Sequence, residues 1–206
     1  MPPAPPSIRH TLRHAAFRAL LAGGSVYFIG NAMQAMAAAC LMVELTGSSF
    51  LAALVQTAVF LPMFLLALPA GVMADTTDRR RLMLGALEVQ AAVMVLLAGL
   101  FLAGHTSGAA LLLLTFATGC CTAVLSPSWN SGIVDVVPRD ELPQAITAIG
   151  IAYNAARALG PALAGYVYAD AGAGWVFVLT FVGIVAMLEA VRRHPPRPHP
   201  PSRLPA

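Results

Sequence analysis

The 206 residues include no lysine, and only 10% of them are charged, against about 25% in an ordinary soluble domain. With 58% hydrophobic residues, a chain of this size cannot hide its apolar surface inside a single water-soluble core, because small domains keep much of their surface exposed. Cysteine is scarce too. Cys40, Cys120 and Cys121 are odd in number and lie inside apolar runs. That argues against a disulfide framework, and no Cys/His spacing fits zinc. They read as small packing residues. The chain has no Gly-rich phosphate loop, so no cofactor is implied and any transport would be driven by a gradient. Its short basic stretches fit topology and anionic lipid better than nucleic acid.

What fills the chain instead is six long apolar stretches, approximately 16–43, 50–73, 82–104, 108–130, 142–168 and 174–191. Each can cross a hydrocarbon layer about 30 Å thick, which takes about 20 helical residues. The runs are continuous and Ala/Leu-rich rather than alternating, which argues against membrane strands. The breaks between them are turn-like or charged, as expected where backbone leaves the hydrocarbon. The Pro-rich, basic start MPPAPPSIRHTLRH precedes an apolar run too long for a cleaved signal, so the first stretch reads as a retained helix. The division expected is a tail over 1–15, a six-helix membrane domain over 16–191, and a Pro/Arg-rich extended tail over 192–206.

Orientation follows from the arginines. Arg9, Arg13 and Arg18 flank the start of the first stretch, Arg79, Arg80 and Arg81 follow the second, and Arg139 follows the fourth. Arg192, Arg193, Arg197 and Arg203 follow the sixth. With six crossings, every arginine except Arg157 falls on one side. Under the positive-inside rule that side is the cytoplasm, with both termini there and the chain in a bacterial inner membrane. A faint echo between Ala70–Asp75 and Ala164–Asp170, on opposite sides of the membrane by this count, is the relation expected of an inverted three-plus-three repeat.

The segment Gly71-Val72-Met73-Ala74-Asp75-Thr76-Thr77-Asp78-Arg79-Arg80-Arg81 resembles the loop between helices two and three of the major facilitator superfamily. Glu44-Leu45-Thr46-Gly47-Ser48, Pro138 to Ala145 and Asn154 to Gly165 add to the likeness, which covers Phe17 to Leu188 and points to the multidrug and siderophore exporter branch. It implies an all-α membrane fold, the N-terminal six-helix half of a transporter. It also implies a gating loop of Gly71, Asp75, Arg79, Arg80 and Asp135, with Asp75 capping a helix of the other half and Arg79 pairing with Asp135. By spacing alone, Asp75 and Arg79 could also pair on one helical turn, and Gly71 would allow close backbone approach. The chain departs from the pattern at Thr76 and Asp78, and at Trp129-Asn130-Ser131, where the branch shows an arginine–glutamine pair. Ala35, Ala38 and Ala39 stand at positions often polar or charged in relatives.

Ionisable and polar groups inside the membrane cost several kcal/mol or so unless partnered, and so are candidate substrate or proton sites. Asn31 and Gln34 share one face of the first stretch, and could bond a substrate or another helix. Glu88 either shuttles a proton from a shielded site or reaches to the interface. Arg157, with Asn154 and Tyr153 within a turn, either lines a cavity and attracts an anionic or polar group, or ties its helix to carbonyls or Glu88. Gly160-Pro161 should bend the fifth helix, an element that in relatives accompanies antiport.

In the superfamily, the substrate lies between two halves. Two readings of a half-length chain therefore stay open: a piece or remnant of a longer carrier that is inactive alone, or a parallel homodimer whose second copy supplies the missing wall. A non-transporting membrane scaffold is a third. An intramembrane serine protease is rejected as an enzyme reading, because Trp129-Asn130-Ser131-Gly132 lacks the leading glycine of the nucleophile motif. The histidines, moreover, fall in an outer loop or in tails.

Overall fold

A computed structural model describes residues 8–193, apart from the side chain of Asp75. The tail read over 192–206 therefore lies outside the described residues beyond Arg193. Within the described residues the chain is all helix and turn. A short α1 (Ile8–Thr11) precedes six long helices: α2 (Ala15–Thr46), α3 (Ser49–Thr76), α4 (Arg79–Leu102), α5 (Gly108–Val136), α6 (Leu142–Ala171) and α7 (Ala173–Arg193). A single 3-10 turn, Arg139–Glu141, leads into α6.

The helix ends are set by local chemistry. Gly47 takes the left-handed conformation (φ 66°) and returns its N–H to Val43, closing α2. Ser48, Asp78 and Ser107 accept from the first turns of α3, α4 and α5, satisfying orphan backbone donors. Asp78 as a cap corrects one expectation. The chain leaves the helix at Thr77 and re-enters at Arg79, so Asp75 and Arg79 share no helical turn and the i, i+4 geometry does not arise.

Five of the long helices are apolar enough to cross a membrane; α6 is long enough at 30 residues but carries more polar side chains, Asn154 and Arg157 among them. The chain is a multi-pass membrane protein. In sequence order, His14 meets Glu141, Phe28 meets Tyr153 and Ala32 meets Gly160. Those rising pairs make α6 run parallel to α2 along most of its length. Against α7 the order reverses: Gly23 faces Ala190, Val26 faces Gly183 and Gly30 faces Thr180, an antiparallel seam. A Cβ at Gly183 would sit 2.9 Å from the Val26 carbonyl oxygen, and one at Gly160 would sit 2.5 Å from the Ala32 Cβ. Glycine lets these backbones approach, the usual device where lipid supplies no hydrophobic drive between helices. Gly71 does not serve this way, since a Cβ there would meet open space.

The two ends of the bundle differ. One gathers His10, His14, Glu141, Arg79, Asp135, Arg80, Arg192 and Glu88 into a charged layer. At the other, Gly108 lies against Thr46 and Met42, and Gly174 lies against Phe101. Positive-φ glycines (Gly47, Gly104, Gly172) mark the turns there.

Candidate functional site: a polar face on α2, α5 and α6

Two polar constellations occupy the middle of the bundle. The first is internal. Tyr27 donates to Gln90 Oε1 at 3.0 Å, Gln90 donates to Asn31 Oδ1 at 3.0 Å, and Asn31 donates to the Tyr27 carbonyl at 2.9 Å. Gln90 is fully buried, so this closed ring ties α2 to α4. Asn31 is thus engaged with another helix, and Gln90 is a partner that the sequence reading missed, since one glutamine in an apolar run gives no signal. Gln34 sits apart, 1% exposed, with its Nε2 unpartnered.

The second constellation is open. Arg157 lies midway along α6, on its exposed side. Its guanidinium carbon stands 5.8 Å from the centroid of the Tyr153 ring. Tyr153 meets Phe28 edge-on at 5.4 Å, and Phe28 meets Trp129 edge-on at 6.2 Å. Gly24 leaves room for the Trp129 indole, 3.1 Å from where its Cβ would be. An aromatic shelf thus runs from α5 across α2 to α6, with one cation at its rim. Among the described residues Arg157 has no hydrogen bond and no carboxylate partner. The tie to Glu88 does not form. Asn154, on the same side, turns its amide back to the Gly150 carbonyl at 2.7 Å.

The remaining expected residues lie at the charged end. Arg79 donates to Asp135 at 3.2 Å, and Arg80 to the Arg192 carbonyl at 3.2 Å. Glu88 accepts from Arg192 at 2.7 Å and is about half exposed, unlike the shielded carboxyl expected of a proton carrier. The helix α6 continues through Gly160-Pro161, with Pro161 inside it.

Two histidines read as tail residues dock instead. His10 Nδ1 donates to Glu141 Oε1 at 2.8 Å, and His14 Nε2 lies 3.3 Å from Oε2. Burial pushes the Glu141 carboxyl upward, but donation from His14 and His10, with the His10 charge, outweighs it and holds the carboxyl below its usual range. Sequence separations of 127 and 131 residues gave no local signal for this contact.

The comparisons agree with this architecture. The family model described as a transmembrane secretion effector matches residues 7–206. The curated proteins yield no match. Among solved structures, a bacterial homologue of the human lysosomal transporter Spinster, inward-facing and unoccupied, aligns over 94% of this chain and 46% of its own, with a TM-score of 0.62 and 19% identity. At that identity the likeness concerns the fold, and this chain spans less than half the length of that transporter. The chain belongs to the transmembrane secretion effector family of the major facilitator superfamily.

Proposed function

We propose that the chain forms one six-crossing half of a gradient-driven, proton-coupled exporter of small molecules. It would sit in a bacterial inner membrane with both termini in the cytoplasm, and its functional kin would be the multidrug and siderophore exporters. Six crossings are supported by α6 running beside α2, so that whatever α2 spans, α6 spans too. The inside orientation is supported by the arginine-bearing layer at one end of the bundle. An inverted three-plus-three repeat is supported by the packing pattern. Exchanging α2 with α5, α3 with α6 and α4 with α7 turns α3–α5 into α6–α2 and α2–α7 into α5–α4, and it leaves α4–α7 and α2–α5 in place. The α2–α3 contact is the departure from this symmetry.

The observation that carries the reading is the face between the edge helices α3 and α6. A lone cation at mid-depth is costly against lipid tails, so the Arg157 side of α6 reads as one wall of a wet cavity. The opposite wall would come from six further helices or from a second copy. In that frame Gly71, Asp75, Arg79, Arg80 and Asp135 would form the cytoplasmic gate, Asn154 and Arg157 would face the path, and Asn31 and Gln34 would lie behind them in the packed interior.

The test is flux of a lipophilic dye in proteoliposomes under an imposed pH gradient, with crosslinking to record assembly. Gradient-dependent flux that nigericin abolishes is expected from the assembled carrier. Assembled protein that moves no dye in either direction would sink the reading and leave a membrane scaffold in its place.

A further inference from the structure

Resting on that cavity reading, the geometry points to a substrate class. We infer that the Arg157–Tyr153–Phe28–Trp129 shelf binds a small organic anion with a flat apolar body, the anion against Arg157 and the body against the rings.

Three observations converge. Arg157 carries the one arginine charge outside the charged end layer and the tails, and among the described residues nothing neutralises it. Its planar fork suits a carboxylate, sulfonate or phosphate, because two parallel N–H donors match two oxygens. The Tyr153 ring 5.8 Å away holds the guanidinium at the shelf without consuming its donors. The two edge-to-face contacts fix Phe28 between Tyr153 and Trp129, so that the ring edges form a rigid apolar surface. Tyr153 is 44% exposed and Trp129 only 7%. The shelf is therefore open at the Arg157 end and closed at the indole end, which gives a ligand one orientation.

A cation would meet Arg157 with like charge. A neutral ring would gain the shelf and leave the guanidinium unpaired. Discrimination by charge is thus the signature that separates this proposal from general apolar binding.

The test uses the full chain in zwitterionic nanodiscs with Trp175→Phe, which leaves Trp129 as the sole indole reporter of the two tryptophans. Three probes share one ring: 2-naphthoate, 2-naphthylmethanol and 2-naphthylmethylamine. The expected result is naphthoate binding at least about tenfold tighter than the alcohol, equivalent to about 1.4 kcal/mol. The preference should be lost in Arg157→Gln and partly kept in Arg157→Lys. Equal affinities in the parent, or a preference that survives Arg157→Gln, would overturn the proposal. So would loss of naphthoate binding to phosphatidylglycerol added to the nanodisc, which would assign the cation to a lipid headgroup.

A second readout separates this failure from that of the cavity reading. Asn154→Cys, in a background with Cys40, Cys120 and Cys121 replaced by alanine, is exposed to a membrane-impermeant thiosulfonate. Labelling without charge preference leaves the cavity wall and removes the anion. Absence of labelling removes the wall, and the proposal that rests on it.

Discussion

Arg79, the first residue of α4, reaches Asp135 near the end of α5 across 56 positions of sequence, with 3.2 Å between guanidinium nitrogen and carboxylate oxygen. Both side chains are mostly withdrawn from solvent, at 20% and 10% exposure. Removing one partner therefore strands the other. Arg79→Ala or Asp135→Asn should each lower stability by about 1–3 kcal/mol, seen as an earlier thermal transition in detergent. The exchange Arg79→Asp with Asp135→Arg should recover part of the loss. If the double exchange is no better than the worse single change, the pair does not link α4 to α5.

Glu141 gives the N-terminal segment a pH dependence whose sign follows from its depressed pKa. A carboxyl held below its unfolded value, about 4.3, contributes docking stability that is present above that value. The contribution is lost as pH falls through the folded value. Protection from hydrogen exchange at residues 8–14, taken relative to the intrinsic rate at each pH, should therefore be high at neutral pH and fall below about pH 4.3. In Glu141→Gln that protection should be low throughout and flat with pH. A parent whose protection in this segment ignores acid would show that the histidine contacts do not hold α1.

Glycine positions separate packing from propensity. Gly183→Ala places its new carbon 2.9 Å from a backbone oxygen of α2, which cannot yield as a side-chain tip could. A loss of about 1–3 kcal/mol is expected. Gly85 lies inside α4 with open space where a Cβ would go, so Gly85→Ala should be neutral or stabilising by up to about 1 kcal/mol. Melting temperatures that rank the two variants the other way would contradict the close α2–α7 seam.

Six long helices were legible because continuous apolar length is a strong signal, and each lies within six residues of the stretch that announced it, although only five are apolar enough to pass as membrane spans. The helix ends at Gly47 and Asp78 depend on cap chemistry that sequence shows only faintly. The reading of Asp75 with Arg79 failed because spacing assumed one unbroken helix, and the cap at Asp78 breaks it. The meeting of Arg79 with Asp135 came from a family likeness, since no periodicity relates residues 56 apart. Gln90 and the His10–His14–Glu141 cluster stayed hidden for that same reason: their partners lie on other helices, and one polar residue in an apolar run does not name its neighbour.

Two buried glutamines now make opposite forecasts. Gln90 is fully buried, and both ends of its amide are used, accepting from Tyr27 and donating to Asn31. Gln90→Leu would leave a phenol donor and an amide oxygen without partners in a dry interior, where each orphan costs about 1–3 kcal/mol. Gln34 is buried to a similar degree, but its Nε2 already lacks a partner, so the parent bears that desolvation cost. Gln34→Met keeps the shape, removes the orphan donor and should leave stability unchanged or raise it by up to about 1 kcal/mol. Unfolding of the two variants in the same detergent decides between them. Should Gln34→Met prove as damaging as Gln90→Leu, Gln34 must find a partner in the membrane-embedded protein, and its amide becomes a candidate contact for whatever fills the cavity.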